Sequence, residues 1–193
     1  MSEACSYRIV LGSSSPRRKE LMEGAGLEFT VMKADVDEGN LPKDLKPEKV
    51  PEYLSRIKAG ALAGRLAPDQ LLVTADTVVI SGDRVLGKPV DREEAVAMLT
   101  SLSGKRHKVV TGVTIATLEK SETFSSSTDV FFRELEDVEI DYYVDRFQPY
   151  DKAGAYGIQE WIGYVGIERI EGSFYNVMGL PVQLLFTKLK NYR

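Results

Sequence analysis

The run LLVTADTVVI (71–80) constrains this chain more than any other stretch of it. It is rich in β-branched and apolar residues, and the SGD that follows signals a turn, so 71–80 reads as a strand. Asp76 interrupts that apolar run. A carboxylate there must be paired, bound to a metal or set at a strand end facing a cleft, because burying a lone charge is too costly. Rigid structure positions such an acid, which favours a functional reading of Asp76 over a structural one.

The segments around this strand alternate. Residues 7–11 (YRIVL) read as a short buried strand, followed by the small residues GSSS and then by Pro16, which is tolerated at the first position of a helix with Ser15 as its cap. Residues 28–32 read as a second strand, and Lys33–Lys49, with two prolines and five acidic residues, as a loop. Leu54, Ile57, Ala61 and Leu62 have helical spacing. Asp91 with Glu94 three residues on predicts a capping box ahead of a helix that buries Ala95, Met98, Leu99 and Leu102. Residues 107–118 and 122–133 predict an antiparallel pair, 137–147 a helix, 164–171 a strand, and Pro181 the start of a last helix. Alternation followed by two long strands favours an α/β fold with a mixed sheet. At 193 residues, and without a repeat or a long linker, the chain is expected to form one domain over 1–193, with or without two lobes.

Composition excludes several classes of function. A net charge of −4 and the lack of a basic run argue against broad nucleic-acid binding. No stretch approaches the roughly 20 apolar residues of a membrane helix. Cys5 is the single cysteine, so no internal disulfide forms, and a cytoplasmic location is expected. His107 is the single histidine, which makes a Ser–His–Asp triad or a histidine metal site a poor reading. It is expected to be a hydrogen-bonded strand residue.

Other segments add candidates. GSSSPRRKEL (12–21) aims a small-residue turn and a helix start at one point, where the Ser13 and Ser15 hydroxyls and the forked donors of Arg17 and Arg18 suit phosphate oxygens. A solvated helix start fits that segment equally well. Asp37 and Glu38 lie in a loop, Arg56 and Lys58 on the 51–65 helix, and Lys88 on the stiff turn Gly87–Lys88–Pro89. DKAGAYGIQ (151–159) carries Lys152 and Gln159 around small residues, and GSFYNVMGLP (172–181) reads as a tight turn. Taken singly, each has an ordinary structural explanation.

In order and spacing, SSSPRRKEL, ADVDE, LSRIKA, TADTVV, LGKP, LSGKRHKVVTGV, DKAGAYGIQ and GSFYNVMGLP together resemble the Maf family of nucleotide pyrophosphatases, relatives of the inosine triphosphatase fold. The resemblance runs from residue 8 to about residue 186. It implies an α/β fold with a mixed, twisted sheet flanked by helices and two lobes around a deep cleft, and homodimers, which many members form. It implies that Ser13, Arg17, Lys58 and Lys88 meet the phosphates, that Glu38 and Asp76 are the catalytic and metal-binding carboxylates, and that a divalent metal, Mg²⁺ or Mn²⁺, takes part. Arg18, Thr77 and Gln159 resemble the branch that acts on dTTP and UTP, with modified pyrimidine nucleotides as further candidates. The expected reaction is hydrolysis of the nucleoside triphosphate to the monophosphate and pyrophosphate, with water attacking the α-phosphorus. The rival is a nucleotide-binding regulator of cell division or septum formation that performs no catalysis. Glu38 and Asp76 speak against it, because binding a polyanion does not call for acids.

Overall fold

The structure, a computed structural model, describes residues 5–192. Its strands form a seven-stranded mixed sheet flanked by helices, with β1 (Arg8–Leu11) between β2 (Phe29–Val31) and β3 (Gln70–Ser81), both parallel to it. Helix α1 (Pro16–Gly24) links β1 to β2, and α2 (Val50–Ala63) precedes β3. A hairpin turns β3 into β4 (Arg84–Leu86), then α3 (Arg92–Leu102) leads to β5 (Arg106–Ala116) and β6 (Ser121–Phe132). The remainder is α4 (Asp137–Phe147), α5 (Trp161–Gly166), β7 (Ile167–Glu171) antiparallel to β6, α6 (Phe174–Met178) and α7 (Val182–Leu189).

The chain divides into two compact units. The first holds the described residues up to Thr77, Thr111–Ser126 and the residues from Gly179 onward; the second holds Val78–Val110 and Ser127–Met178. Strands β3, β5 and β6 each run from one unit into the other.

Within the first unit, Val10, Ala59, Leu62, Leu66, Leu72 and Ala116 pack as one apolar cluster. Polar contacts seat α2 on the sheet: Thr74 Oγ1 donates to the Ser55 carbonyl at 2.7 Å, and the Ser55 and Thr114 hydroxyls meet at 2.9 Å. Gly112 on β5 lets the start of this helix come close, because a Cβ there would sit 2.3 Å from the Pro51 carbonyl carbon and the Glu52 nitrogen. Within the second unit, α3 packs on α4, and Arg92 reaches Asp141 and Asp145, each at 2.6 Å.

Four local expectations change. Ser15 stands at the start of α1, but its hydroxyl makes no capping bond. Asp91 does cap α3, accepting from Glu94 N at 2.8 Å, whereas Glu94 reaches back to Val90 N and not to Asp91 N. The strand expected over 164–171 begins only at Ile167, because Glu160 N→Gly157 O and Gly163 N→Glu160 O turns wind the chain into α5 first. In 172–181 the expected turn contains the short α6. Among the described residues, no helix is long and apolar enough to cross a membrane.

Candidate active site

Alternation along β3 explains where its polar side chains go. Thr74 and Asp76 share one face, and Ser55 and Lys58 lie one turn apart on α2. As Thr74 meets Ser55, Asp76 meets Lys58: Nζ lies 2.5 Å from Asp76 Oδ1. The same ammonium is 2.9 Å from Glu38 Oε1. The loop that carries Glu38 is turned by Asp37, whose Oδ1 accepts from Gly39 N at 2.9 Å. Lys58 and Asp76 have side chains only 12% and 11% exposed, whereas Glu38 is 45% exposed. The buried acid anticipated at 76 is therefore paired, and a shielded lysine holds it beside a second acid that faces solvent. Arg56, on the same helix, is exposed.

Thr77 faces the other way. Its Oγ1 accepts from Arg18 Nη2 at 3.1 Å and meets the Thr111 hydroxyl at 2.9 Å. Arg18 also donates through Nε to the Gly179 carbonyl at 2.8 Å and through Nη1 to Ser13 Oγ at 3.3 Å. Burial lowers the Arg18 pKa, an effect opposed by the charge of Asp76. With ordinary arginine basicity far above neutrality, the guanidinium stays charged. Arg18 thus spends three donors on its own chain. Ser13 Oγ accepts from Arg18 and, at 3.3 Å, from Ser15 N, which leaves the Ser13 hydroxyl proton to be given to an anion. Arg17 lies in the first turn of α1.

The first unit thus brings Ser13, Arg18 and Thr77 into one hydrogen-bonded set and Glu38, Lys58 and Asp76 into another. Asp76 and Thr77, adjacent on β3, belong to one set each. Hard divalent cations take carboxylate oxygens, commonly from one or two side chains plus substrate phosphate and water. Glu38 and Asp76, drawn to one nitrogen, fit that donor set. No group of three or more His, Cys, Asp or Glu side chains suited to a metal occurs among the described residues.

Lys88 and Gln159 belong to the second unit. Lys88 is exposed, and its turn is tied to the 153–155 segment by the bond from Gly154 N to the Gly87 carbonyl, 2.9 Å. Gln159 is half-buried, and its Oε1 is buried without a hydrogen-bond partner among the described residues. Its neighbour Glu160 joins Lys152, already a candidate, to Tyr143, and the sequence singled out neither Glu160 nor Tyr143. Lys152, 8% exposed, pairs with Asp151 at 2.7 Å and with Glu160 Oε1 at 3.1 Å. Tyr143 OH donates to Glu160 Oε2 and accepts from Gly157 N at 3.0 Å. Lys152 lies inside the Gln159 motif and Glu160 directly after it, but Tyr143 stands 17 residues away, so no local pattern joins the three.

His107 is the buried, hydrogen-bonded strand residue expected. Its Nε2 meets Tyr156 OH at 2.8 Å, and its ring lies edge-on to Phe132 and Tyr156. Burial lowers its pKa to about 4, so the ring is neutral near pH 7.

Known proteins share this sequence along most of its length. The family described as Maf-like protein matches residues 8–192. A dTTP/UTP pyrophosphatase of Porphyromonas gingivalis is 56% identical over 96% of this chain and 94% of its own. One of Bacteroides thetaiotaomicron is 55% identical over 95% of each. Among solved structures, a nucleoside-triphosphatase / dITP/XTP pyrophosphatase of Mycobacterium abscessus gives a TM-score of 0.38 at 13% identity over 66% of this chain and 75% of that one, too slight a likeness to carry an argument.

Proposed function

The chain belongs to the Maf-like protein family, and from that membership we propose that it is a nucleoside triphosphate pyrophosphatase, hydrolysing dTTP and UTP to the monophosphate and pyrophosphate. The observation that carries the chemistry is the meeting of two acids, Asp76 from a buried strand and Glu38 from a loop, on the single ammonium of Lys58. Plain phosphate binding has no use for such a pair. Modified pyrimidine nucleotides are further candidate substrates.

In the reaction we propose, the triphosphate approaches the turn before α1, where Ser13 donates its hydroxyl proton and Arg17 its forked N–H groups to phosphate oxygens. Lys58 holds Asp76 and Glu38 close together, and offers positive charge to the same oxygens. Asp76 orients the attacking water and accepts its proton, and the water oxygen bonds to the α-phosphorus as the bond to the β-phosphate oxygen breaks. Pyrophosphate leaves. A divalent cation, Mg²⁺ or Mn²⁺, held by Glu38 and Asp76 would neutralise phosphate charge and make the water more acidic. Arg18 acts mainly by holding Ser13, Thr77 and the Gly179 carbonyl in place. The phosphate role of Lys88 and the base-reading role of Gln159 rest on the sequence resemblance.

We read the two units as one functional domain, supported by the three strands that continue from one into the other. A cytoplasmic enzyme that pairs as a homodimer and binds no nucleic acid completes the proposal; the single cysteine and the net charge of −4 support the first and last of these. The decisive experiment incubates the protein with dTTP, UTP, dCTP and dGTP in the presence of Mg²⁺ or Mn²⁺ and separates the products. Equal amounts of monophosphate and pyrophosphate are expected from dTTP and UTP. Orthophosphate with nucleoside diphosphate would overturn the bond assignment, and binding without turnover would favour a regulator.

A further inference from the structure

Two consecutive residues of the second unit, Gly154 and Ala155, have positive φ, 69° and 59°. Glycine adopts that conformation freely, whereas alanine does so at a cost, and such strain persists only where the surroundings enforce it. Here they do so from three sides. Before the turn, Lys152 pairs with Asp151 at 2.7 Å and with Glu160 at 3.1 Å. After it, Tyr156 OH meets His107 Nε2 at 2.8 Å, and both Ala155 and Tyr156 are buried. Helix α3 packs on the turn itself.

The turn so enforced makes two contacts with the hairpin that leads into Lys88, and Gly154 supplies both. Its N–H donates to the Gly87 carbonyl at 2.9 Å, immediately before the lysine. Its α-carbon rests on Val79 of β3: a Cβ built there would lie 2.8 Å from Val79 Cγ2 and 3.0 Å from Val79 Cβ. Val79 pairs with Leu86 of β4, and Leu86 runs directly into Gly87 and Lys88. On the far side, Pro89 disfavours helical backbone at Lys88. Lys88 is exposed, so the course of its backbone decides where the ammonium can reach.

We propose that Gly154 is a positioning residue for Lys88. Its N–H fixes the Gly87 carbonyl, and its missing side chain lets the strained turn seat against Val79, so that the ammonium is presented to the triphosphate from one place. The inference rests on the reading of Lys88 as a phosphate-binding side chain. A reacting group displaced by about 1 Å can cost about a hundredfold in rate, so such a seat has catalytic weight without touching the nucleotide.

The test is a double-mutant cycle on kcat/KM for dTTP with Mg²⁺: wild type, Gly154→Ala, Lys88→Met and the double variant, each checked for folding by circular dichroism and a thermal melt. Lys88→Met is expected to lose about a hundredfold, the scale of one donor to a developing charge. Gly154→Ala should lose about tenfold in the wild-type background but less than about twofold in Lys88→Met, where the group it places is gone. A glycine that merely supports the fold would cost the same factor in both backgrounds. That result would overturn the proposal and spare the reading of Lys88, as would wild-type activity in Gly154→Ala. Should Gly154→Ala fail to fold, Val79→Ala, which loosens the same seat from β3, replaces it in the cycle, with a loss of about threefold expected only while Lys88 is present. Wild-type kcat/KM in Lys88→Met would remove that reading and the inference with it.

Discussion

Each unit contains a shielded lysine set between two acids, and the two arrangements differ in what the acids have left to offer. In the second unit Lys152 bonds to Asp151 and Glu160, and Glu160 uses both oxygens, one on the lysine and one on Tyr143. In the first, Lys58 bonds to Asp76 and Glu38, and Asp76 commits Oδ1 alone among the described residues. A carboxylate with both oxygens engaged by its own chain is a fastening. One with an oxygen in reserve can still take a cation or a water proton. The pattern of lysine and two acids is therefore uninformative by itself, and an oxygen left unengaged is what separates the proposed reactive set from a clamp.

The strongest way to break this contrast is Asp76→Asn, which keeps the shape and weakens the base and the donor. Turnover of dTTP should fall by about two to three powers of ten, or about 2.7–4 kcal/mol of barrier, with the melting temperature close to that of the wild type. A pyrophosphate-release assay and a thermal melt read both; near-normal turnover would remove Asp76 from the mechanism. Lys152→Met should do the reverse. It leaves Glu160 without its cation in a mostly shielded setting and should destabilise the fold by about 3 kcal/mol in urea unfolding. If it instead abolished turnover with stability intact, the second lysine would be more than a fastening.

His107 sharpens the picture of the second unit through pH. Its folded pKa, about 4, lies below its unfolded value of 6.5, so below pH 6.5 the unfolded chain takes up a proton that the native one refuses. Stability must therefore drop as pH falls from 6.5 towards 4, by at most roughly 3 kcal/mol from this group. Urea midpoints measured across that range for wild type and His107→Gln check it: the variant should show a shallower decline. The smallest effect separates two helix starts. Asp91→Ala removes a real cap from α3 and should cost about 1 kcal/mol, whereas Ser15→Ala on α1 should stay within about 0.5 kcal/mol, because that hydroxyl makes no capping bond.

These features were unequally visible in the sequence. Asp76 announced itself because an acid inside LLVTADTVVI breaks a strong local pattern, and the alternation of strands and helices carried most of the fold. Strand β4 went unseen, since three residues, Arg84–Leu86, become a strand only by pairing with β3. The start of β7 was misjudged because 164–166 has the composition of a strand yet is wound into α5 by turns that begin at Gly157. The clamp on Glu160 was illegible for a related reason: Tyr143 stands 17 residues away, and no local spacing joins them. Sequence periodicity reports which face a residue occupies, not which of its lone pairs are already spent.

Gly112 controls the placement of α2. Because the backbone of Pro51 and Glu52 rests directly on it, β5 acts as a fulcrum for α2, with Lys58 further along the lever. One methyl group at 112 would pry up the near end and swing the ammonium off its two acids. The three charged groups would all remain, yet out of alignment, so the tolerance of the proposed site to change is set partly by a residue that has no side chain.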